Sequence, residues 1–457
     1  MNFAHAEVAT LDPTTMRTLC EEYMANNYID PETSERLGVK RGLRNPDGTG
    51  VLAGLTNVCD VVGYKKDQEG HVIPTPGKLI YRGVNINEIV DEAYRNDRFV
   101  FEEVIWLLLF GSLPTREQLD DFCEILAESR ALPDGFMDTM NAPSPNIMNK
   151  LQRCVLGLYS YDDRAEDLSL ENILNQSINL IASMPTMMVN AYQMKRRYYD
   201  KQSMFFHLPK PGQSTAEHIL STYRPDQKFT HEEAKLLDMC LLVHADHGGG
   251  NCSTFTTRVL SSSGTDTYSA ISAAIGALKG PKHGGANIKV MEMMDDIRAH
   301  VSDVTDEDEM RAYIGKIVDK EAFDHKGLVY GMGHAVYSLS DPRAVVFKSF
   351  VQQLAMAKGR KADFDFYNTV ERLAPQVIAE KRHIYKGVST NVDFYSGFVY
   401  NMLGIPVELY TPMFAVARVV GWSAHRMEEL VNVDKIIRPA YKSVMATRDY
   451  LPMENRG

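Results

Sequence analysis

The sequence predicts an all-α fold with one small β-rich region near the N-terminus. Two observations carry this. Apolar residues recur at three- and four-residue spacing through most of the 457 residues, the period that lines one face of a helix. Only 48–83 breaks the pattern: GTGVLAGLTNVCDVVGY and HVIPTPGKLIYRG mix β-branched residues with turn glycines and prolines. One or two small hairpins fit there.

In order along the chain, the periodicity predicts helices over 12–27, then, after the hairpin region, over 101–111 and 115–130. The longest stretch follows at 171–195. Shorter ones cover 230–243, 267–279, 284–299, 306–319, 343–357 and 363–380, and 412–431 closes the series. The apolar run VIWLLLF at 104–110 is too short to span a bilayer, and no longer one exists. No repeat of fixed period and no low-complexity tract is present, so neither a solenoid nor a long flexible linker is expected.

Charge narrows the function. Lys and Arg number 49 against 60 Asp and Glu, a net charge of -11. A protein that neutralises many phosphates needs a basic face, so nucleic acid is not an expected partner. A small polyanionic substrate needs only a local arginine cluster. The six cysteines, Cys20, Cys59, Cys123, Cys154, Cys240 and Cys252, form no CxxC pair and read as reduced structural thiols. The segment MNFAHAEVATLDPTTM lacks a basic leader, an apolar core and the arginines of a transit peptide, which points to the cytoplasm.

Chemistry concentrates in three glycine-rich motifs: GPKHGGAN at 280–287, GMGHAVYSLSDPR at 331–343 and NVDFYSG at 391–397. Glycine beside a polar side chain lets backbone and ligand approach closely, so His283, His334 and Asp393 are placed to face a substrate. HADHGGGN at 244–251 puts His244 and His247 about one helical turn apart, but no third ligand follows at a metal-binding spacing, so no metal is expected. His283 stands just before a predicted helix start, where the dipole disfavours imidazolium and leaves a neutral donor. Asp393 reads either as a helix N-cap or as a base made strong by the aromatic residues that follow it. Arg343 reads either as half of a surface ion pair with Asp341 or as a carboxylate ligand.

These motifs, with KLIYRG (78–83) and FEEVIWLLLFGSLP (101–114), resemble the citrate synthase family in kind and in order, over nearly the whole chain. The resemblance implies a large helical domain (1–284 and 401–457, the latter carrying the dimer interface) interrupted by a smaller one (285–400), with the active site in the cleft between. It implies condensation of acetyl-CoA with oxaloacetate and hydrolysis of the product thioester to citrate and CoA, with no cofactor. Asp393 would remove the acetyl methyl proton, His283 would hold the enol oxygen, and His334 would polarise the ketone. His247, Arg343, Arg418 and Arg438 would bind the substrate carboxylates, Arg438 from the other subunit of a homodimer. His244 would be structural, with Asn251 a polar partner on the same segment.

Two departures from the family pattern stand out. Gly248 replaces a glutamate, and Ser338 and Leu339 replace a basic pair that helps to hold CoA phosphates. Lys386, Arg382 and Lys282 are the candidate replacements. Two rivals remain open at this point: a 2-methylcitrate synthase using propionyl-CoA, and a non-catalytic regulatory protein that binds a tricarboxylate.

Overall fold

A computed structural model describes residues 12–383, 387–433 and 435–456. It forms two compact units, one from 12–52 and 438–456, the other from 53–437. The first contains α1 (Pro13–Asn27) and α2 (Pro31–Arg36), each opened by an aspartate cap followed by proline. Proline at that position costs no hydrogen bond, and its fixed φ suits a helix start. The second unit begins with β1 (Cys59–Lys66), β2 (Val72–Tyr81) and β3 (Val84–Asn85) in one antiparallel sheet, the predicted hairpin plus a short third strand.

Helices make up the rest: α3 (Ile86–Arg95), α4 (Phe101–Phe110), α5 (Arg116–Glu128), α6 (Phe136–Met140), α7 (Ile147–Gly157), α8 (Leu170–Tyr198), α9 (Thr215–Tyr223), α10 (His231–His244), α11 (Cys252–Ser262) and α12 (Thr267–Lys279). Then follow α13 (Ala286–His300), α14 (Glu307–Val318), α15 (Pro342–Ala357), α16 (Lys361–Arg382), α17 (Val392–Met402) and α18 (Tyr410–Asn432). Every predicted helix is present, within a few residues at each end. Helices α13 to α17 pack mainly on one another, whereas α18 runs through the other group and touches α4, α7, α8, α10, α11 and α12. Its residues from Tyr410 to Met427 are all buried, which explains an apolar pattern with no polar face. Among the described residues, no helix is long and apolar enough to cross a membrane.

Two close approaches shape the interior around the histidine motifs. Gly421 on α18 stands where a Cβ would come within 2.3 Å of an Asp246 oxygen and 2.6 Å of the Ala245 carbonyl. Only glycine lets α18 lie against the segment that carries His247. On the sheet, a Cβ at Gly77 would meet the Ser340 carbonyl at 2.2 Å, and one at Gly63 the Val336 carbonyl at 2.5 Å. The hairpin therefore serves as a bed for the loop after His334, reinforced by Tyr337 Oη donating to the Lys78 carbonyl (3.2 Å). Its last residue, Tyr81, is wholly buried and donates to the carbonyls of Leu242 and Asp246. One small sheet thus steadies two histidine-bearing segments.

Candidate active site

The site is assembled from the ends of helices. α10 ends at His244, and the chain turns through His247 to the N-terminus of α11. Asn251 caps α11 and returns its Nδ2 to the Gly248 carbonyl at 2.7 Å, which fixes the turn that holds His247. Asn251 is thus the polar partner that the sequence motif indicated. Beneath this turn, Asp246 is fully buried and accepts from His425 Nε2 at 3.0 Å. Arg258 Nη2 donates to His425 Nδ1 at 2.7 Å and pairs onward with Glu428 and Glu429, so the imidazole must donate to Asp246. Although burial works against its charge, His425 with Arg418 holds the Asp246 carboxyl well below its ordinary value.

His283 lies in the turn before α13, which starts two residues later than expected, and its Nε2 is occupied. The Ser253 backbone N–H donates to it at 3.2 Å, and the Ser253 hydroxyl lies 2.8 Å away. That hydroxyl also accepts from Trp422 Nε1 at 3.1 Å. A nitrogen that accepts a backbone proton carries none of its own, so the neutral ring bears its proton on Nδ1. Burial, with a smaller contribution from the Arg418 charge, lowers its pKa to about 4. The ring is neutral as expected, with desolvation as the main cause.

His334 shows the opposite tautomer. Its Nδ1 accepts from the N–H groups of Val336 (3.0 Å) and Tyr337 (3.2 Å), which leaves the proton on Nε2. The Tyr337 ring stacks on it at 4.7 Å, and the His247 ring meets it edge-on at 5.0 Å. The loop is tied to the third motif: Gly333 N–H donates to the Ser389 carbonyl (2.7 Å), and Asn391 Nδ2 donates to the Gly333 carbonyl (3.0 Å). Gly333 adopts φ +83°, which favours glycine.

Asn391 also caps α17, accepting from Asp393 N–H at 3.0 Å. The cap is therefore Asn391, and Asp393 is left with a buried carboxyl whose Oδ1 has no hydrogen-bond partner among the described residues. Burial pushes this carboxyl up from 3.8 to about 7, with Arg343 opposing the rise. A carboxylate kept dry near neutral pH is a competent general base.

Two guanidinium groups serve this cluster. Arg343 does pair with Asp341, through Nε (3.0 Å) and Nη2 (2.7 Å), but both are buried, so the pair is internal rather than superficial. Asp341 also caps α15, so the same carboxylate fixes both the helix start and the Arg343 guanidinium. Arg418 is 1% exposed; its Nε donates to the His244 carbonyl at 2.7 Å, and its Nη2 has no partner among the described residues. His247 Nε2 and both nitrogens of His244 are likewise buried without partners, and His244 is flanked by the Phe347 and Phe414 rings. Burial and the nearby Arg343, His334, Arg418 and His283 hold His247 well below its ordinary value. Unpaired buried donors around two guanidinium groups form a receptor for an anion with several oxygens.

Four expected site residues remain. Arg438 belongs to the unit formed by 12–52 and 438–456. Lys386 lies outside the described residues. Lys282 is exposed beside His283, and Arg382 donates to the Gly327 carbonyl. A cavity of about 770 Å³ beside Arg130 and Glu217 shares no residue with the histidine cluster, and its walls carry none of these paired donors and bases. Asp246, Ser253, Trp422 and His425 escaped the sequence reading, since their roles depend on partners up to 179 residues away.

Comparisons with known proteins identify the family. Residues 45–440 match the family described as "Citrate synthase, C-terminal domain". A citrate synthase from Synechocystis is 34% identical over 396 residues, covering 86% of this chain and 91% of its own. A 2-methylcitrate synthase from Corynebacterium glutamicum is 34% identical over 394 residues, covering 84% and 94%. The fold is similar to that of the Thermoplasma acidophilum citrate synthase solved in ternary complex with carboxymethyl coenzyme A and oxaloacetate: TM-score 0.74, 26% identity, 91% of this chain and 99% of that one. The buried carboxyl, the two histidines of opposite tautomer and these matches lead to one statement: the chain belongs to the citrate synthase family, enzymes that transfer an acyl group and convert it to an alkyl group.

Proposed function

We propose that this protein condenses acetyl-CoA with oxaloacetate and hydrolyses the resulting citryl-CoA. The observation that carries the reading is the buried carboxyl of Asp393, whose Oδ1 has no hydrogen-bond partner among the described residues, together with His283, its proton on Nδ1, and His334, its proton on Nε2. Asp393 takes a proton from the acetyl methyl group while the electrons move to the thioester oxygen, which His283 Nδ1–H holds as an enol. The enol carbon then attacks the oxaloacetate ketone. His334 Nε2–H donates to the ketone oxygen as negative charge builds there, an interaction stronger in the transition state than in the ground state. Water cleaves the thioester. Arg343, Arg418 and His247 bind the oxaloacetate carboxylates.

The thioester already acidifies the methyl group, and these hydrogen bonds accommodate the charge, so no cofactor enters the scheme. A protein that only bound a tricarboxylate would have no use for the base. The proposal includes a homodimer in which Arg438 completes the partner's site, as in the resembled family. A mixed dimer of Asp393→Ala and Arg438→Ala subunits tests this. About half of the wild-type activity returns if the arginine acts in trans, because one of the two sites is then intact, and none returns if it acts within its own chain.

The acyl donor is the finer question, because relatives of both specificities match at 34% identity. One methylene is worth about 1–3 kcal/mol in a pocket. Steady-state release of CoA, measured with acetyl-CoA and with propionyl-CoA at saturating oxaloacetate, should give the larger kcat/KM for acetyl-CoA. A larger value for propionyl-CoA would make the protein a 2-methylcitrate synthase.

A further inference from the structure

Three helices that carry site residues at one end meet again at the other. α10 ends in His244 and leads to His247, α15 carries Arg343 in its first turn, and α17 carries Asp393 in its first turn. Their opposite ends are the N-terminus of α10 and the C-termini of α15 and α17, and these converge on one cluster. Glu233, in the first turn of α10, accepts from Arg224 Nη1 at 2.6 Å and from Lys358 Nζ at 2.7 Å. Lys358 is the C-terminal cap residue of α15. Arg224 Nη2 donates at 2.7 Å to the carbonyl of Leu403, the C-terminal cap residue of α17, and Tyr223 Oη donates to the same carbonyl at 2.9 Å.

Each charge suits its helix terminus, with a carboxylate at an N-terminus and cations at two C-termini. The cluster is also more than a surface pair: the side chains of Glu233 and Arg224 are only 10% and 15% exposed. Although burial works against its charge, Arg224 and Lys358 hold the Glu233 carboxyl down at about 2. The helices run about 16–24 Å from this cluster to the site, at about 1.5 Å per residue. Over that length they behave as rods, and α15 packs against both α10 and α17.

We propose that Glu233 is a positioning residue for the condensation: through Lys358 and Arg224 it sets how α15 and α17 stand against α10, and thus how Arg343 and Asp393 stand against His244 and His247. The inference rests on the reading of the site given above. A displacement of about 1 Å at reacting groups can cost on the order of 10²-fold in rate, so even a partial release of one rod end has a measurable effect.

Glu233→Gln tests it, since glutamine at this position still closes the capping box with Thr230 while both ion pairs are lost. The expected result is a fall of about tenfold in kcat/KM for oxaloacetate. Lys358→Met, where the side chain is 34% exposed, should produce part of the same loss. The double variant should be no worse than Glu233→Gln alone, because both changes break one link. Amide exchange without substrate provides a readout independent of the reaction: exchange should quicken in the first turns of α15 and α17, around 341–345 and 391–395, relative to α12. Unchanged exchange in these turns would overturn the proposal whatever the substrate proves to be. So would kinetics within twofold of wild type, or additive losses in the double variant.

Discussion

Asp393→Asn should lower kcat by about 10²–10⁴, the usual contribution of a positioned base, while oxaloacetate binding measured by calorimetry stays near wild type. Activity within threefold of wild type would remove Asp393 from the role of base. The same substitution has a second, opposite signature. The folded-state carboxyl stands at about 7 against an ordinary 3.8, so above pH 7 the protein holds a buried charge that the unfolded chain would hold in water. That penalty is up to about 4 kcal/mol, from about three pKa units at about 1.4 kcal/mol each. It disappears as pH falls from 7 towards 4, where the native carboxyl is protonated. Asparagine is neutral at every pH. The variant should therefore melt higher than wild type at pH 8, and the gap should close near pH 4. Wild-type kcat/KM should show an acid limb near pH 7, because only the ionised form accepts the methyl proton.

Arg418→Lys should be nearly as damaging to substrate binding as removing the charge altogether. The guanidinium uses Nε on the His244 carbonyl and keeps a buried Nη2 that has no partner among the described residues. An ammonium group is a single point that cannot do both. Each hydrogen bond to a charged group contributes about 1.5–3 kcal/mol, so kcat/KM for oxaloacetate should fall by about 10²-fold. The KM for acetyl-CoA at saturating oxaloacetate should change much less. A lysine variant within threefold of wild type in oxaloacetate kinetics would show that charge alone, without the two-pronged geometry, is what the site requires.

The long helices were legible because each buries one stripe against the interior. Two of those missed, α11 and α9, lack such a stripe. α11, CSTFTTRVLSS, packs between α12 and α18 through serines and threonines, whose hydroxyls return to backbone carbonyls, as Thr257 does to Ser253. α9 has nine residues, most of them buried, and offers no polar face to set a period. The hairpin was legible from its glycines and β-branched residues, but not its task, which depends on a loop more than 250 residues later passing over Gly77.

At the site, residue types and local motifs pointed to His247, His283, His334, Arg343, Asp393 and Arg418. That His283 is neutral and that Asp393 is a candidate base was legible; which nitrogen of each histidine carries the proton was not. Ser253 holds the His283 proton on Nδ1, and desolvation is the main cause of both the low pKa of His283 and the high one of Asp393. Positioning is equally non-local. Lys358 and Glu233 lie 125 residues apart, with nothing in either segment to indicate that they meet.

The central claim is that a proton leaves the acetyl methyl group to Asp393 and that the carbon then joins oxaloacetate. The most direct measurement is mass spectrometry of the products formed from oxaloacetate and acetyl-CoA carrying three deuterium atoms on the methyl group. The account predicts one CoA released per citrate formed, with two deuterium atoms retained in the citrate and the third lost to solvent. Release of CoA with acetate that keeps all three would mean simple thioester hydrolysis, with no base at Asp393 and no carbon–carbon bond, and would contradict it.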